Sequence, residues 1–292
     1  MSPRPAVMIA LCLLAVSGCS SAPAHRAGSA LPAPFNGAAS VTPQQSSALH
    51  EAEERAVAAC MQERGFSYLP VPAGRPTTDH PYGLLTEAQA AADGYGVTSV
   101  ALAGPTEDPN RQALAQLAED RREAWRNALI GTGQQQRTLT APGSPSLHIN
   151  TDGCVYLGRQ SLYGSAYDQA ELTVGGLTAQ VVTQVTADEG FLAAQRSWAE
   201  CMRGQGDSAE TLQEARASIQ DALGTIGDDR ARLQDLGHRE LRLAGHDAAC
   251  QRKSSLAGAV RTVQERVEAS LPEASRQQAT ALADLRKRAL EK

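Results

Sequence analysis

Four widely separated cysteines, Cys60, Cys154, Cys201 and Cys250, restrict the folds available to this chain. A disulfide between such distant positions holds two segments side by side and removes much of the freedom of the unfolded chain. Cysteines in even number are typical of exported, disulfide-bonded proteins. Four cysteines allow three pairings, and their number alone does not distinguish between them.

The first 18 residues have the pattern of a signal peptide. Arg4 precedes an uninterrupted apolar stretch from Ala6 to Val16, and small residues follow it. This stretch is too short for a membrane-spanning helix, which needs about 20 residues. The segment Val16-Ser17-Gly18-Cys19 resembles the bacterial lipobox, which implies that Cys19 carries a lipid. The alternative is an ordinary secretory signal in which Cys19 is incidental.

Residues 19–43 have the composition of a disordered tether. Ser, Ala, Pro and Gly dominate, and charged or bulky apolar residues are few. Such a segment cannot bury enough apolar surface to fold. Together with a lipid on Cys19, it predicts an anchored protein on the extracytoplasmic face of the cell membrane. The membrane is then a partner through the lipid.

The charge balance limits the possible functions of the chain, and its composition limits the possible fold classes. The chain has 27 Lys and Arg against 32 Asp and Glu, a formal net charge of -5. Nucleic-acid binding requires clustered basic residues, so we expect no nucleic-acid partner. Aromatic residues make up only 4% of the chain, whereas good helix formers are abundant. We therefore expect a mainly α fold, a helical domain crosslinked by disulfides.

Capping patterns predict where helices begin. Thr42 and Gln45 have the spacing of a capping box around Pro43, a residue favoured in a first helical turn. Thr186 and Glu189 have the same spacing and predict a second start.

The C-terminal third of the chain predicts long helices. From Asp228 to Val267 apolar residues follow helical spacing, and four of them recur every seven residues. These four are Leu236, Leu243, Cys250 and Ala257. Such a seam is typical of a helix that packs along partner helices.

Two segments match each other without gaps. They are Arg55-x-Val57-x-x-Cys60-Met61-x-x-x-Gly65 and Arg196-x-Trp198-x-x-Cys201-Met202-x-x-x-Gly206. One further cysteine follows each segment, so the simplest interpretation is two degenerate helical half-modules, residues 44–185 and 186–292. Each would be closed by its own disulfide, which pairs Cys60 with Cys154 and Cys201 with Cys250. Few positions are identical, and a chance match is the alternative.

Three features together resemble an actinobacterial family of uncharacterised cell-envelope lipoproteins. They are the Cys-Met-x-x-x-Gly helix ends, the segment from Gly153 to Gly164 and the segment from His246 to Lys253. The resemblance extends from about residue 48 to the C-terminus. An aromatic residue follows the first helix end, as in the family, whereas Asp207 follows the second. The resemblance implies a partner in the envelope, and it transfers no catalytic residue.

No local motif for catalysis is present. The chain lacks the His-Glu-x-x-His, Gly-x-Ser-x-Gly and Ser-x-x-Lys patterns and a phosphate-binding glycine-rich loop. Paired cysteines of a zinc site are also missing. His246 and Cys250 lie one helical turn apart and could bind a soft metal ion if Cys250 were free. We expect no catalytic residue, no cofactor and no metal site.

Two functional hypotheses follow. The first is a non-enzymatic interaction or accessory module of the cell envelope, whose partner is an envelope protein or a cell-wall component. The alternative is an envelope enzyme or small-ligand binder whose site converges from distant positions and therefore leaves no local motif. A deep pocket with converging ionisable groups favours the second hypothesis.

Overall fold

The computed structural model describes residues 31–38, 40–75, 80–141, 145–227 and 229–292. The predicted signal peptide and Cys19 lie outside these residues.

Helices dominate the described residues, as the composition predicts. After a short 3-10 helix, Pro34–Gly37, the helices are α1 (Pro43–Glu63), α2 (Glu87–Asp93), α3 (Val97–Ala103), α4 (Arg111–Ala115), α5 (Glu119–Ile130), α6 (Cys154–Tyr163), α7 (Tyr167–Thr186), α8 (Glu189–Gly204), α9 (Leu212–Gly224), α10 (Arg230–Lys253), α11 (Leu256–Ser270) and α12 (Glu273–Leu290). The strands β1 (Gln136–Leu139) and β2 (Leu147–Asn150) pair antiparallel between α5 and α6. None of the helices in this part of the chain combines the length and apolar character that crossing a membrane requires.

One of the two predicted capping boxes is confirmed. The hydroxyl of Thr42 accepts a hydrogen bond from the Gln45 amide at 3.2 Å, and the Gln45 side chain accepts one from the Thr42 amide at 2.9 Å. The second prediction is wrong, because α7 continues to Thr186. The carboxylate of Asp188 caps α8 instead, accepting a hydrogen bond from the Gly190 amide at 2.8 Å.

The predicted C-terminal seam is divided between two helices. α10 ends at Lys253, and Ser255 adopts a left-handed conformation with φ 55° before α11 begins at Leu256. The apolar stripe is nevertheless buried along both helices, since Leu236, Leu243 and Cys250 face the core from α10 and Val260, Val263 and Val267 face it from α11. The long C-terminal helices are therefore present.

Residues on both sides of the predicted boundary at residue 185 contribute to one core. Leu31–Lys292 forms one compact unit, in which α2 and α3 pack against α10 and α12 packs against α6 and α7. A smaller second cluster joins α1, α5 and the start of α6. Its buried residues are Val57, Met61, Trp125, Ala128 and Cys154.

The four cysteines pair as the repeated segments predict. Cys60 is bonded to Cys154, with their Cα atoms 5.5 Å apart, and Cys201 is bonded to Cys250, with a Cα separation of 5.6 Å. The first disulfide joins the end of α1 to the start of α6. The second joins α8 to α10 in the main core.

The two repeated segments also end in the same way. Met61 and Met202 are fully buried, and the amide five residues after each methionine donates to its carbonyl oxygen at 2.9 and 3.0 Å. Gly65 and Gly206 are left-handed, with φ of 76° and 87°. This is the Schellman geometry, which a glycine adopts at low cost. The sequence match therefore corresponds to a shared helix-end structure.

The last part of the predicted tether packs on the body, so the tether prediction is wrong for residues 31–38. Phe35 is buried, its amide donates to Glu268 at 2.7 Å, and the side chain of Gln264 donates to the carbonyl oxygen of Ala33 at 2.9 Å. Phe35 and its neighbours Pro32 and Pro34 supply the burial that the average composition of the segment does not indicate.

Asp247 on α10 is a fully buried carboxylate that joins three segments of the chain. It accepts hydrogen bonds from the hydroxyl of Tyr95 at 2.9 Å, from the indole of Trp198 at 2.8 Å and from the side chain of Gln251 at 2.8 Å. Gln251 in turn accepts a hydrogen bond from the Leu85 amide at 2.9 Å. The network holds the loop before α2 and the turn after it against α8 and α10.

Glu240, which precedes Asp247 on α10 by seven residues, is also fully buried. It accepts hydrogen bonds from the amides of Val97 and Thr98, both at 2.8 Å, and from the hydroxyl of Thr98. These amides belong to the first turn of α3, where a negative charge is stabilised by the helix dipole. α10 therefore fixes the position of α3 by a polar contact as well as by packing.

Candidate functional site

The described cysteines singled out from the sequence lie in pairs at two separate places in the fold. All four described cysteines are in disulfides, so the proposed His246 and Cys250 metal pair has no free thiol. The described ranges contain no group of three or more His, Cys, Asp or Glu side chains that could hold a metal ion. Cys19, the predicted lipidation site, lies outside those ranges.

A concave apolar surface lies under the β1–β2 hairpin. The base of the hairpin is closed by a close approach of Gly131 and Gly153, where a Cβ atom on Gly153 would lie 2.5 Å from the Gly131 backbone nitrogen. The side chain of Asn150 also donates to the carbonyl oxygen of Ile130 at 2.9 Å. Only glycine permits this contact between backbones.

Polar contacts hold the hairpin over α6 and α7. The guanidinium of Arg137 donates to the carbonyl oxygen of Ser165 at 2.8 Å, and the side chain of Gln169 donates to that of Thr140 at 2.6 Å. The space enclosed between the hairpin and these helices has a volume of about 470 Å³. We call it the hairpin groove; residues lining it include Ile130, Leu139, Leu147, Ile149, Val155, Tyr156, Arg159, Asp168, Glu171 and Leu172.

Three exposed apolar side chains converge at the hairpin groove. Ile130, Leu147 and Val155 are 57%, 48% and 41% exposed, although each comes from a different structural element. Isolated exposed apolar residues are ordinary, but a concave cluster of them is typical of a binding site.

One side of the hairpin groove is a network of ion pairs. Arg159 on α6 contacts Asp168 at 3.1 Å and Glu171 at 2.7 Å, both on α7, and Glu53 on α1 at 3.7 Å. Arg286 on α12 contacts Glu171 at 3.0 Å. Three carboxylates against two guanidinium groups leave a formal charge of -1 in this network.

Two stacked tyrosines complete the network. The rings of Tyr163 and Tyr167 have centroids 3.8 Å apart, and their hydroxyls donate to Glu53 at 2.6 Å and to Glu171 at 2.9 Å. Burial alone would raise the pKa of Glu171, but Arg159 and Tyr167 outweigh it and lower the pKa. Glu171 therefore stays ionised at neutral pH and is poorly suited to donate a proton.

Neither a protein-family model, nor a curated protein, nor a solved structure matches this chain. The hairpin groove itself is therefore the basis for a functional assignment. Its carboxylates are engaged in ion pairs and hydrogen bonds, so the arrangement is suited to binding more than to proton transfer.

None of the charged residues of this site was predicted from the sequence. Asp168 and Glu171 are three residues apart and therefore share a face of α7. Arg159 reaches them because α6 and α7 are separated by a tight turn at Gly164. The glycine at this turn is the sequence signal that indicates the proximity of α6 and α7. Tyr156, which the sequence marks only as a tyrosine near glycines, lines the groove, whereas Tyr163 is buried beside it.

Proposed function

We propose that this protein is an exported, membrane-anchored lipoprotein that acts as a non-enzymatic accessory module of the cell envelope by binding a protein partner in the hairpin groove. The occupant is an apolar protein segment that carries a basic residue beside its apolar side chains. Membership of the actinobacterial lipoprotein family and a lipid on Cys19 belong to the same proposal.

The exposed apolar cluster of Ile130, Leu147 and Val155 is the observation that carries this proposal. When apolar side chains of a partner cover an open apolar groove of this kind, the complex is stabilised by about 25 cal/mol per Å² of buried apolar surface. The net charge of -1 beside the groove favours a Lys or Arg in the partner segment over an acidic residue.

We expect removal of the exposed apolar groups to abolish binding in the groove without unfolding the protein. The double variant Ile130→Ser/Leu147→Ser should lose fluorescence enhancement of the neutral apolar dye N-phenyl-1-naphthylamine, measured by titration. Leucine-rich peptides should displace the dye from the wild-type protein, and a lysine-flanked peptide should do so better than a glutamate-flanked one.

The matched control is Leu69→Ser/Val100→Ser, since both of these residues are exposed but neither lines the groove. Equal dye binding by the two double variants would contradict a site in the hairpin groove. Displacement by both peptides with equal strength would contradict the role of the charged network.

A small apolar ligand is the second candidate occupant. The groove volume of about 470 Å³ lies in the range of small-molecule sites, about 300 to 1,000 Å³, and Arg159, Asp168 and Glu171 of the ion-pair network line it. Dye binding that is lost in the groove variant but that no peptide displaces would favour this candidate over a protein segment.

Anchoring gives a separate prediction. We expect Cys19→Ala to move the protein from the membrane fraction to the soluble fraction of cells, because the apolar stretch before it is too short to span a bilayer. Immunoblots of fractionated cells measure this, with Cys12→Ala as the matched control. A Cys19→Ala protein that stays in the membrane fraction would refute lipid anchoring as the main attachment.

A further inference from the structure

A second cavity lies between α9, α10 and the connection from α8 to α9. Its volume is about 420 Å³, and it shares no lining residue with the hairpin groove. Arg239, Arg242 and His246 line it from α10, and spacings of three and four residues place them on one helix face. The hydroxyl-bearing residues Ser208 and Ser218 line it from the other side.

The carboxylates at this cavity are engaged by other donors. The carboxylate of Asp207 is hydrogen-bonded to Nδ1 of His246 at 2.7 Å, and this contact orients the imidazole ring. Glu214 accepts a hydrogen bond from the backbone amide of Glu210 at 2.9 Å, in the turn before α9. Neither carboxylate forms an ion pair with an arginine of the cavity.

The two arginines of the cavity lack carboxylate partners within the described part of the chain. Arg242 donates only to the carbonyl oxygen of His238, at 3.2 Å, and Arg239 makes no hydrogen bond or ion pair there. By contrast, Arg252 on the same helix pairs with Glu87 at 2.9 Å. Two neighbouring guanidinium groups therefore remain able to bind an external anion.

We propose that Arg239 and Arg242 form a binding site for the phosphate group of a small organic phosphate monoester. Guanidinium groups present paired N–H donors that match phosphate oxygens. Asp207 and Glu214 also line the cavity, but they are held by His246 and by the Glu210 amide, so the arginines are the groups that would contact the anion. On the opposite side Ser208 supplies a further hydroxyl, whereas the hydroxyl of Ser218 donates to the carbonyl oxygen of Ala215 at 2.8 Å. The volume accommodates the organic part of such a ligand. The site does not depend on the function of the hairpin groove.

Isothermal titration calorimetry of the full-length protein tests this site. The probes are glycerol 3-phosphate and dihexanoyl phosphatidic acid, both phosphate monoesters, with glycerol as the negative control. We expect either phosphate to bind and glycerol not to bind. Tighter binding of phosphatidic acid identifies a lipid source of the ligand, and tighter binding of glycerol 3-phosphate identifies a soluble one. Absence of binding by both phosphates would overturn the proposal.

Variants distinguish binding at this cavity from a nonspecific effect of the protein's net charge. Arg239→Gln/Arg242→Gln should weaken binding at least about tenfold, the loss of a strong charge-assisted hydrogen bond. The control Arg252→Gln/Arg266→Gln removes the same charge elsewhere and should bind as the wild-type protein does. Arg239→Lys/Arg242→Lys keeps the charge and should bind with intermediate affinity, which remains measurable if the glutamine variant fails to fold. Equal losses in the glutamine variant and the control would overturn the site.

Discussion

Replacing both Cys201 and Cys250 with alanine is expected to lower the free energy of unfolding by about 4 kcal/mol, because the disulfide closes a loop with a sequence separation of 49 residues. The Cys60→Ala/Cys154→Ala variant should lose slightly more, about 5 kcal/mol, because its separation is 94 residues. Urea denaturation followed by circular dichroism measures both losses.

A mixed variant makes this test specific to the pairing. Cys60→Ala/Cys201→Ala also removes two cysteines, but with the observed pairing it breaks both disulfides and should cost about twice as much as either matched variant. Losses of equal size in all three double variants would contradict the pairing. Peptide mapping without reduction provides an independent measurement.

The buried carboxyl of Asp247 is expected to make the protein less stable as the pH rises from about 4 to 6. Burial raises the pKa of this group to about 6, although the hydrogen bonds from Gln251, Tyr95 and Trp198 oppose the shift. In the unfolded chain the pKa is about 3.9. The folded state therefore binds more protons in this window, and the free energy of unfolding falls by roughly 3 kcal/mol across it.

The test compares the pH dependence of unfolding in the wild-type protein and in Asp247→Asn. Asparagine keeps an acceptor for Trp198 and Gln251 but does not ionise, so the variant should lack this loss. Asp235→Asn, an exposed change on the same helix, should follow the wild-type profile. Parallel profiles for the wild-type protein and Asp247→Asn would show that this carboxyl does not titrate in the window.

Local signals in the sequence were reliable where backbone chemistry decides the outcome. Thr42 and Gln45 satisfy free amides at a helix start, and Gly65 and Gly206 relieve strain at helix ends. Neither result requires distant contacts. Thr186 shows the limit of the same reasoning, because Asp188 competes for the same helix start and accepts the capping hydrogen bond.

Features that depend on distant contacts were not predictable in the same way. The break at Ser255 interrupts an apolar stripe whose spacing continues through it, and the spacing alone gave no sign of it. The ion pairs of Arg159 join residues from α1, α6 and α7, which only the packing of these helices brings together. The cysteines of the repeated segments were the exception, because they predicted contacts between distant residues. A disulfide needs only two cysteines, so its prediction does not depend on how the surrounding helices pack.

The docking of residues 31–38 determines how the protein resists mechanical force. Tension applied from the N-terminal side of Leu31 reaches α11 through the bonds of Phe35 to Glu268 and of Ala33 to Gln264 before it reaches the first turn of α1. These contacts must rupture, and the ring of Phe35 must leave the core, before α1 is loaded. The segment therefore moves the point of loading from α1, which carries Cys60, to α11 in the main core.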